Sequence, residues 1–306
     1  MTLGLWRVAL GGGERLARGE PESGPTELLD DPGGPGIDGP GIDGLIALGA
    51  PALAEALASP GRGPLPDGAA ILPPIGSQEI WAAGVTFLRS REARMEESGT
   101  PDHYDLVYEA ERPELFLKAT PGKARGPGQA IGIRADSTWD VPEPELVVVA
   151  DSQGRPAAYT IGNDVSSRSI EGENPLYLPQ AKVYRGSCAI GPCLVPAGAV
   201  PGLEGMDVAL SIMRGGAEIF SDSVALSTMK RRPGELVEWL FRAQEFPEGA
   251  ALLTGTSIVP PPELTLQEGD TVTVSITGLG RLVNPVELVG VPRRAAAAGG
   301  PGGSAP

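Results

Sequence analysis

The chain has 306 residues, with 24 lysines and arginines against 39 aspartates and glutamates, for a formal net charge of −15. So acidic a surface repels phosphate backbones, which argues against nucleic acid as a partner. The hydrophobic fraction of 41% is ordinary for a soluble globular fold, and no apolar run reaches the roughly 20 residues that a membrane-spanning helix needs.

Met1–Leu10 is apolar, lacks the basic opening and cleavage site of a signal peptide, and reads as a strand. Residues 10–75 are rich in Gly, Pro and Ala, and Gly34–Asp38 is repeated at once as Gly39–Asp43, a duplication within a loop. Leu45, Leu48, Leu53 and Leu57 predict one short helix over Leu45–Ala58. Pro73-Pro74 closes this stretch. Residues 1–74 are therefore expected to form a small N-terminal domain, residues 75–293 the main domain, and the Ala/Gly/Pro-rich residues 294–306 a disordered tail.

Ile80–Val85 then predicts a buried strand, Phe87–Ser98 a charged helix, residues 99–113 a mobile loop and Leu115–Lys118 a short strand. Further strands are predicted at Glu145–Ala150, Ala157–Ile161, Ala189–Leu194, Val208–Met213, Glu218–Ala225 and Thr271–Ile276, with a hairpin turn at Gly215-Gly216. Pro233 opens one helix over Gly234–Ala243, which carries Leu236, Trp239 and Leu240 on one stripe. The class is mainly β with some α, and a closed or rolled sheet is expected because it leaves few exposed edges. Cys188 and Cys193 have no zinc-site spacing and read as packing residues of a cytoplasmic protein.

The densest chemistry lies at the mouth of the run Glu145–Ala150. Glu143 and Glu145 are two residues apart in an extended segment, so both side chains can aim at one point. Pro144 between them removes a ladder donor and suits a strand opening. Asp164 ends another strand-like stretch. Three carboxylates converging in a dry pocket require compensation by a cation or by protons. All-oxygen ligation favours a hard divalent ion: Mg2+, or else Mn2+ or Ca2+.

Several further motifs stand in order along the chain: Arg112–Thr120, Glu143-x-Glu145, Gly162-Asn-Asp164-Val-Ser, Lys182, Thr254-Gly-Thr256, Glu268-Gly-Asp270 and Gly278-Leu-Gly-x-Leu-Val-Asn284-Pro-Val286. Together they resemble the fumarylacetoacetate hydrolase family over most of residues 80–292. The resemblance implies a β-roll catalytic domain behind a small N-terminal domain, a homodimer or homotetramer, and a magnesium ion held by Glu143, Glu145 and Asp164. It also implies a basic Lys182 beside the metal and a substrate-contacting loop at Thr256.

Members that hydrolyse C–C bonds place a water-activating histidine where this chain has Ser90, and the one histidine here is His103, in the loop that follows. Without a positioned base, water attack loses a large catalytic factor, which points from hydrolysis to elimination. The run Asn163–Lys182 is similar to the sugar-acid dehydratase branch of the family. That likeness implies metal-assisted dehydration of a 2-keto-3-deoxy sugar acid through a stabilised enolate, with 2-dehydro-3-deoxy-D-arabinonate going to 2,5-dioxopentanoate as the five-carbon case. Glu114, two residues before Phe116, is the expected C3 base, with Lys182 as proton shuttle and Thr256 assisting departure of the C4 hydroxyl. Arg89, Ser90, Arg91, Lys118, Gln180 and Thr256 are the expected substrate contacts. Two rival readings are a hydrolase, isomerase or decarboxylase of acylpyruvate-like or hydroxydienoate substrates using His103, and a keto-acid-binding scaffold without turnover.

Overall fold

A computed structural model describes residues 2–30, 41–89, 106–200 and 202–290. Its backbone is an 11-stranded sheet. In spatial order ten of the strands are Gly61–Pro64, Gly24–Leu29, Gly13–Glu20, Gly4–Leu10, Cys188–Pro196, Pro156–Asp164, Pro144–Ala150, Ala250–Leu253, Glu79–Gly84 and Glu114–Ala119. Ala70–Ile71 pairs with Gly4–Leu10 off this path. A second, five-stranded sheet has the order Ala217–Ala225, Asp207–Arg214, Thr271–Ile276, Gly280–Val289, Ile131–Arg134. Pairing is antiparallel except between Ala250–Leu253 and Glu79–Gly84 and between Gly280–Val289 and Ile131–Arg134.

The two sheets differ in how their residues are covered. Every residue of Pro144–Ala150 is buried, as expected for an apolar run covered on both faces. Thr271–Ile276 instead alternates, with Val272, Val274 and Ile276 buried and the residues between them half-exposed. Those inward residues join Leu210, Ile212 and Leu282 from neighbouring strands against Leu146 and Ile161 of the large sheet. The opposite face of the large sheet takes Ile46, Leu53 and Leu57 against Val147 and Val149, while further along the face that carries Leu146, Leu236 and Leu240 cover Val148 and Leu252.

The register sets up the site. Pro144 opposes Asn163 and Glu145 opposes Gly162 in an antiparallel pair. The beginning of one strand, with its two glutamates, thus lies beside the end of its neighbour, with Asp164. Gly162 is required here, because a Cβ at that position would stand 2.7 Å from a Val147 methyl.

The predicted elements are shifted or divided in several places. The helix expected over Leu45–Ala58 is two helices, Gly41–Leu48 and Ala50–Ala58, broken at Gly49, whose φ of 90° no ordinary helical residue adopts. Of the duplicated segment, Gly41–Asp43 opens the first of these helices rather than lying in a loop, and the first copy falls outside the described residues. The Gly/Pro-rich stretch holds strands at Gly13–Glu20, Gly24–Leu29 and Gly61–Pro64. Gly4–Leu10 joins the large sheet through Leu5 opposite Leu194. Most of the helix expected over Phe87–Ser98, most of the loop after it and the C-terminal tail lie outside the described residues; within that loop, Ala110 N–H bonds the Leu106 carbonyl in a helical turn. The later helix spans Pro233–Phe241. Cys188 and Cys193 are free and buried, and burial pushes the Cys188 thiol up to about 12. Among the described residues no helix is long and apolar enough to cross a membrane.

Candidate active site

Glu143, Glu145 and Asp164 each offer a carboxylate oxygen within 4.8 Å of the others, and all three side chains are buried. The backbone holds them there: Asp164 N–H donates to the Glu143 carbonyl at 2.9 Å, and Glu143 N–H donates to Asn163 Oδ1 at 3.1 Å.

Two buried lysines face this group. Lys182 Nζ donates to Glu143 Oε2 at 2.9 Å, to Asp164 Oδ2 at 3.0 Å and to Ser166 Oγ at 2.5 Å. Lys118 Nζ lies 2.5 Å from Asp164 Oδ1 and donates to the carbonyls of Val165, at 3.0 Å, and Lys182, at 2.5 Å. Lys118 is thus held by one ion pair and two backbone carbonyls. It is 0% exposed and is not among the residues lining the cavity. Expected as a substrate contact, Lys118 stands behind the carboxylates in this structure and ties Asp164 to the segment carrying Lys182.

Charge does not balance evenly across the carboxylates. Burial alone would raise Asp164, but the charges of Lys118 and Lys182 outweigh it and hold the carboxyl below its ordinary range. Burial, reinforced by the charges of Asp164 and Glu143, pushes Glu145 well above its ordinary range. Glu145 accepts the Gly255 N–H at 2.6 Å. Lys118 and Lys182 pair with Glu143 and Asp164, and Arg168 lies 3.9 Å from Glu143, so among the described residues Glu145 is the carboxylate with no ion pair. A hard divalent cation fits that donor set, because it supplies positive charge at the oxygens the lysines do not neutralise.

A second tier of contacts fixes the loop beside Glu145. Thr86 Oγ1 donates to the Thr254 carbonyl at 2.6 Å. Gly255 has φ 93° and presses on Thr86, so a Cβ at 255 would meet Thr86 Oγ1 at 2.1 Å. Val85, which precedes Thr86, has φ 52°. That conformation is costly for a β-branched residue, and such strain concentrates at functional sites.

The cavity above the carboxylates is lined by Gly84, Val85, Glu114, Phe116, Glu171, Leu178, Lys182 and Thr256, among others. Glu114 and Thr256, the residues expected to act as base and as hydroxyl donor, both belong to this lining. Glu114 and Phe116 share one face of their strand by alternation. Gln180 is exposed and does not line the cavity, contrary to expectation. On the helix Leu178–Lys182, residues 178 and 182 share the cavity face one turn apart, which turns 180 away. Arg89 is likewise exposed and outside the lining. Ser90, Arg91 and His103 lie outside the described residues.

Sequence reading assigned no role to Arg168 or Glu171. Both are buried on the helix Arg168–Glu173, whose first turn is capped by Ser167. Arg168 Nη1 lies 3.9 Å from Glu143 Oε1 and 3.9 Å from Glu171 Oε2. The available signal was the Arg-x-x-Glu spacing behind a Ser cap, which aligns the two side chains along a helix face.

Known proteins resemble this chain in sequence and in fold. The chain is 53% identical over 216 residues to a probable 2-keto-3-deoxyxylonate dehydratase of Haloferax volcanii, covering 71% of this chain and 74% of that one. It is 42% identical over 221 residues to the 2-dehydro-3-deoxy-D-arabinonate dehydratase of Saccharolobus solfataricus, with the same coverage of 71% and 74%. A solved 2-keto-3-deoxy-D-arabinonate dehydratase, complexed with magnesium and 2,5-dioxopentanoate, superposes with a TM-score of 0.78 at 34% identity, over 94% of this chain and 99% of that one. The pattern described as fumarylacetoacetate (FAA) hydrolase C-terminal matches residues 96–287, and with these relatives it establishes that the chain belongs to the fumarylacetoacetate hydrolase family.

Proposed function

We propose that this protein is a hydro-lyase that removes water from a 2-keto-3-deoxy sugar acid, converting 2-dehydro-3-deoxy-D-arabinonate to 2,5-dioxopentanoate. The observation that carries the reading is the buried, clustered carboxylate group Glu143, Glu145 and Asp164 at the base of a cavity that also presents Glu114 and Thr256. The names of the relatives point to the same chemistry. Arabinonate and xylonate differ at C2 and C3, and the 2-oxo and 3-deoxy changes erase both stereocentres. Within the D series the two relatives' names therefore describe one five-carbon substrate.

Glu143, Glu145 and Asp164 would hold magnesium, which when bound supplies Lewis-acid stabilisation of charge developing on the 2-oxo oxygen. Glu114 is the base that takes a proton from C3, within reach because its strand opens onto the cavity. Lys182 keeps Glu143 and Asp164 in place and adds positive charge where the enolate forms. The Thr256 hydroxyl orients the departing C4 hydroxyl. Phe116, Val85 and Leu178 keep the site apolar around the reacting carbons, which strengthens each electrostatic contact. A cytoplasmic homodimer or homotetramer is the assembly we infer, and light scattering in solution tests it.

The deciding assay supplies 2-dehydro-3-deoxy-D-arabinonate with and without Mg2+ and follows the product by mass and by aldehyde detection. Metal-dependent loss of one water to give 2,5-dioxopentanoate is expected. An unchanged sugar acid together with cleavage of an acylpyruvate would overturn the assignment in favour of hydrolysis.

A further inference from the structure

The proposed reaction needs more proton transfers than one base performs. Eliminating water across C3–C4 yields 5-hydroxy-2-oxopent-3-enoate, an isomer of the final product. To reach the 2,5-dioxo acid, a proton must leave C5 and a proton must be added at C3. The resulting C4–C5 enol then ketonises in water.

The cavity contains a carboxylate for that second transfer. Apart from the metal-site residues, two acidic side chains line it: Glu114 from the strand Glu114–Ala119 and Glu171 from the helix Arg168–Glu173. Glu171 is 7% exposed. Arg168, 3.9 Å from both Glu171 and Glu143, links it to the metal-site group while leaving it in the lining. The two carboxylates thus enter one cavity from different elements, as expected where two carbons of one substrate must exchange protons.

Resting on the dehydratase reading above, we propose that Glu171 is the base of the second half-reaction. In the first half, Glu114 takes the C3 proton and passes it to the C4 hydroxyl as the C4–O bond breaks, releasing water. In the second, the Glu171 carboxylate takes a proton from C5 and returns it to C3, moving the double bond from C3–C4 to C4–C5. The enol loses its O–H proton to solvent and gains one at C4. No external oxidant is needed, because C5 rises from alcohol to aldehyde while C4 exchanges hydroxyl for hydrogen.

The test compares Glu171→Gln and Glu114→Gln on 2-dehydro-3-deoxy-D-arabinonate with Mg2+. Near-ultraviolet absorbance reads the conjugated enone and an aldehyde assay reads the product. Glu171→Gln is expected to form aldehyde at least about 100-fold more slowly while still releasing the enone, whereas Glu114→Gln releases neither. Aldehyde at the wild-type rate in Glu171→Gln, or an equal loss of enone and aldehyde, would overturn the proposal. A second measurement does not depend on the variant folding. Synthetic 5-hydroxy-2-oxopent-3-enoate given to the wild-type protein should be converted to 2,5-dioxopentanoate faster than in buffer alone, and no acceleration would sink the idea. A wild-type protein that dehydrates the sugar acid yet fails this test retains its assigned reaction and loses only the role of Glu171.

Discussion

The two ends of the strand Pro144–Ala150 are equally buried and are held by opposite physics. At the far end, Val147 to Ala150 pack against apolar neighbours such as Leu252, Leu53 and Leu240, a stabilisation that pH and metal do not touch. At the near end, Glu145 joins Glu143 and Asp164, and the fold there depends on Lys118 and Lys182. The contrast shows where this protein yields stability to function: one strand gives its apolar residues to the core and its glutamate, Glu145, to a carboxylate group in which that side chain has no ion pair among the described residues.

The most damaging way to break that contrast is Lys182→Met. It strips Glu143 and Asp164 of a buried partner, and removing one member of a buried ion pair costs about 3–5 kcal/mol. Denaturant unfolding without metal should show a loss of that size, and Mg2+ should restore part of it. At the far end, Leu252→Ala deletes a fully buried side chain and should cost about 2–5 kcal/mol through lost contact and a cavity. The Mg2+ dissociation constant, by calorimetry, should stay unchanged. A shift in that constant would mean the two ends are coupled.

Asp140, just before the glutamates, sharpens the comparison through pH. It is buried, among the described residues its Oδ1 has no hydrogen-bond partner, and burial raises its carboxyl from the ordinary 3.8 to about 6 despite Ser137 and Arg134. Below about pH 4 the folded and unfolded chains both carry the proton. Between about pH 4 and 6 the unfolded chain releases it while the folded protein keeps it, so stability falls as pH rises. Above pH 6 the loss is complete. A shift of this size is worth up to about 3 kcal/mol. Asp140→Asn should remove this slope, so variant and wild type converge at low pH and separate as pH rises to 6. Parallel curves would refute the role of Asp140.

Which parts of this arrangement could be read from the sequence follows from how local each signal is. Glu143-Pro-Glu145 before an apolar run is a local pattern, and alternation along a strand fixes its geometry. Thr271–Ile276 shows its burial in its own alternation. Gly13–Glu20 and Gly24–Leu29 escaped notice because their charged and small residues leave only partial burial, and what makes them strands is pairing with distant segments. Lys118 has the same limit. Its sequence neighbours suggest a cavity residue, whereas its partners Asp164, Val165 and Lys182 are far along the chain. Glu171 was hidden because an Arg-x-x-Glu on a short helix is common, and only the fold turns it toward Glu114.

The smallest expected effect has the most informative sign. Glu145→Gln keeps the shape of the side chain and an oxygen to accept the Gly255 N–H, and removes the one carboxylate that neither lysine contacts. In the metal-free protein this relieves repulsion from Asp164 and Glu143 together with the cost of burying a charge, the causes that drive Glu145 upward. The variant should therefore be more stable than wild type without metal, by about 1–2 kcal/mol. Because a raised carboxyl costs more as pH rises above its unfolded value of 4.5, the gain should be larger at neutral pH than at pH 4.5. With Mg2+ in excess the order should reverse, since metal binding stabilises wild type in proportion to its affinity and the variant has lost a charged ligand. A variant less stable than wild type in both conditions would mean that Glu145 is an ordinary structural carboxylate, and that its charge is not held in readiness for a metal.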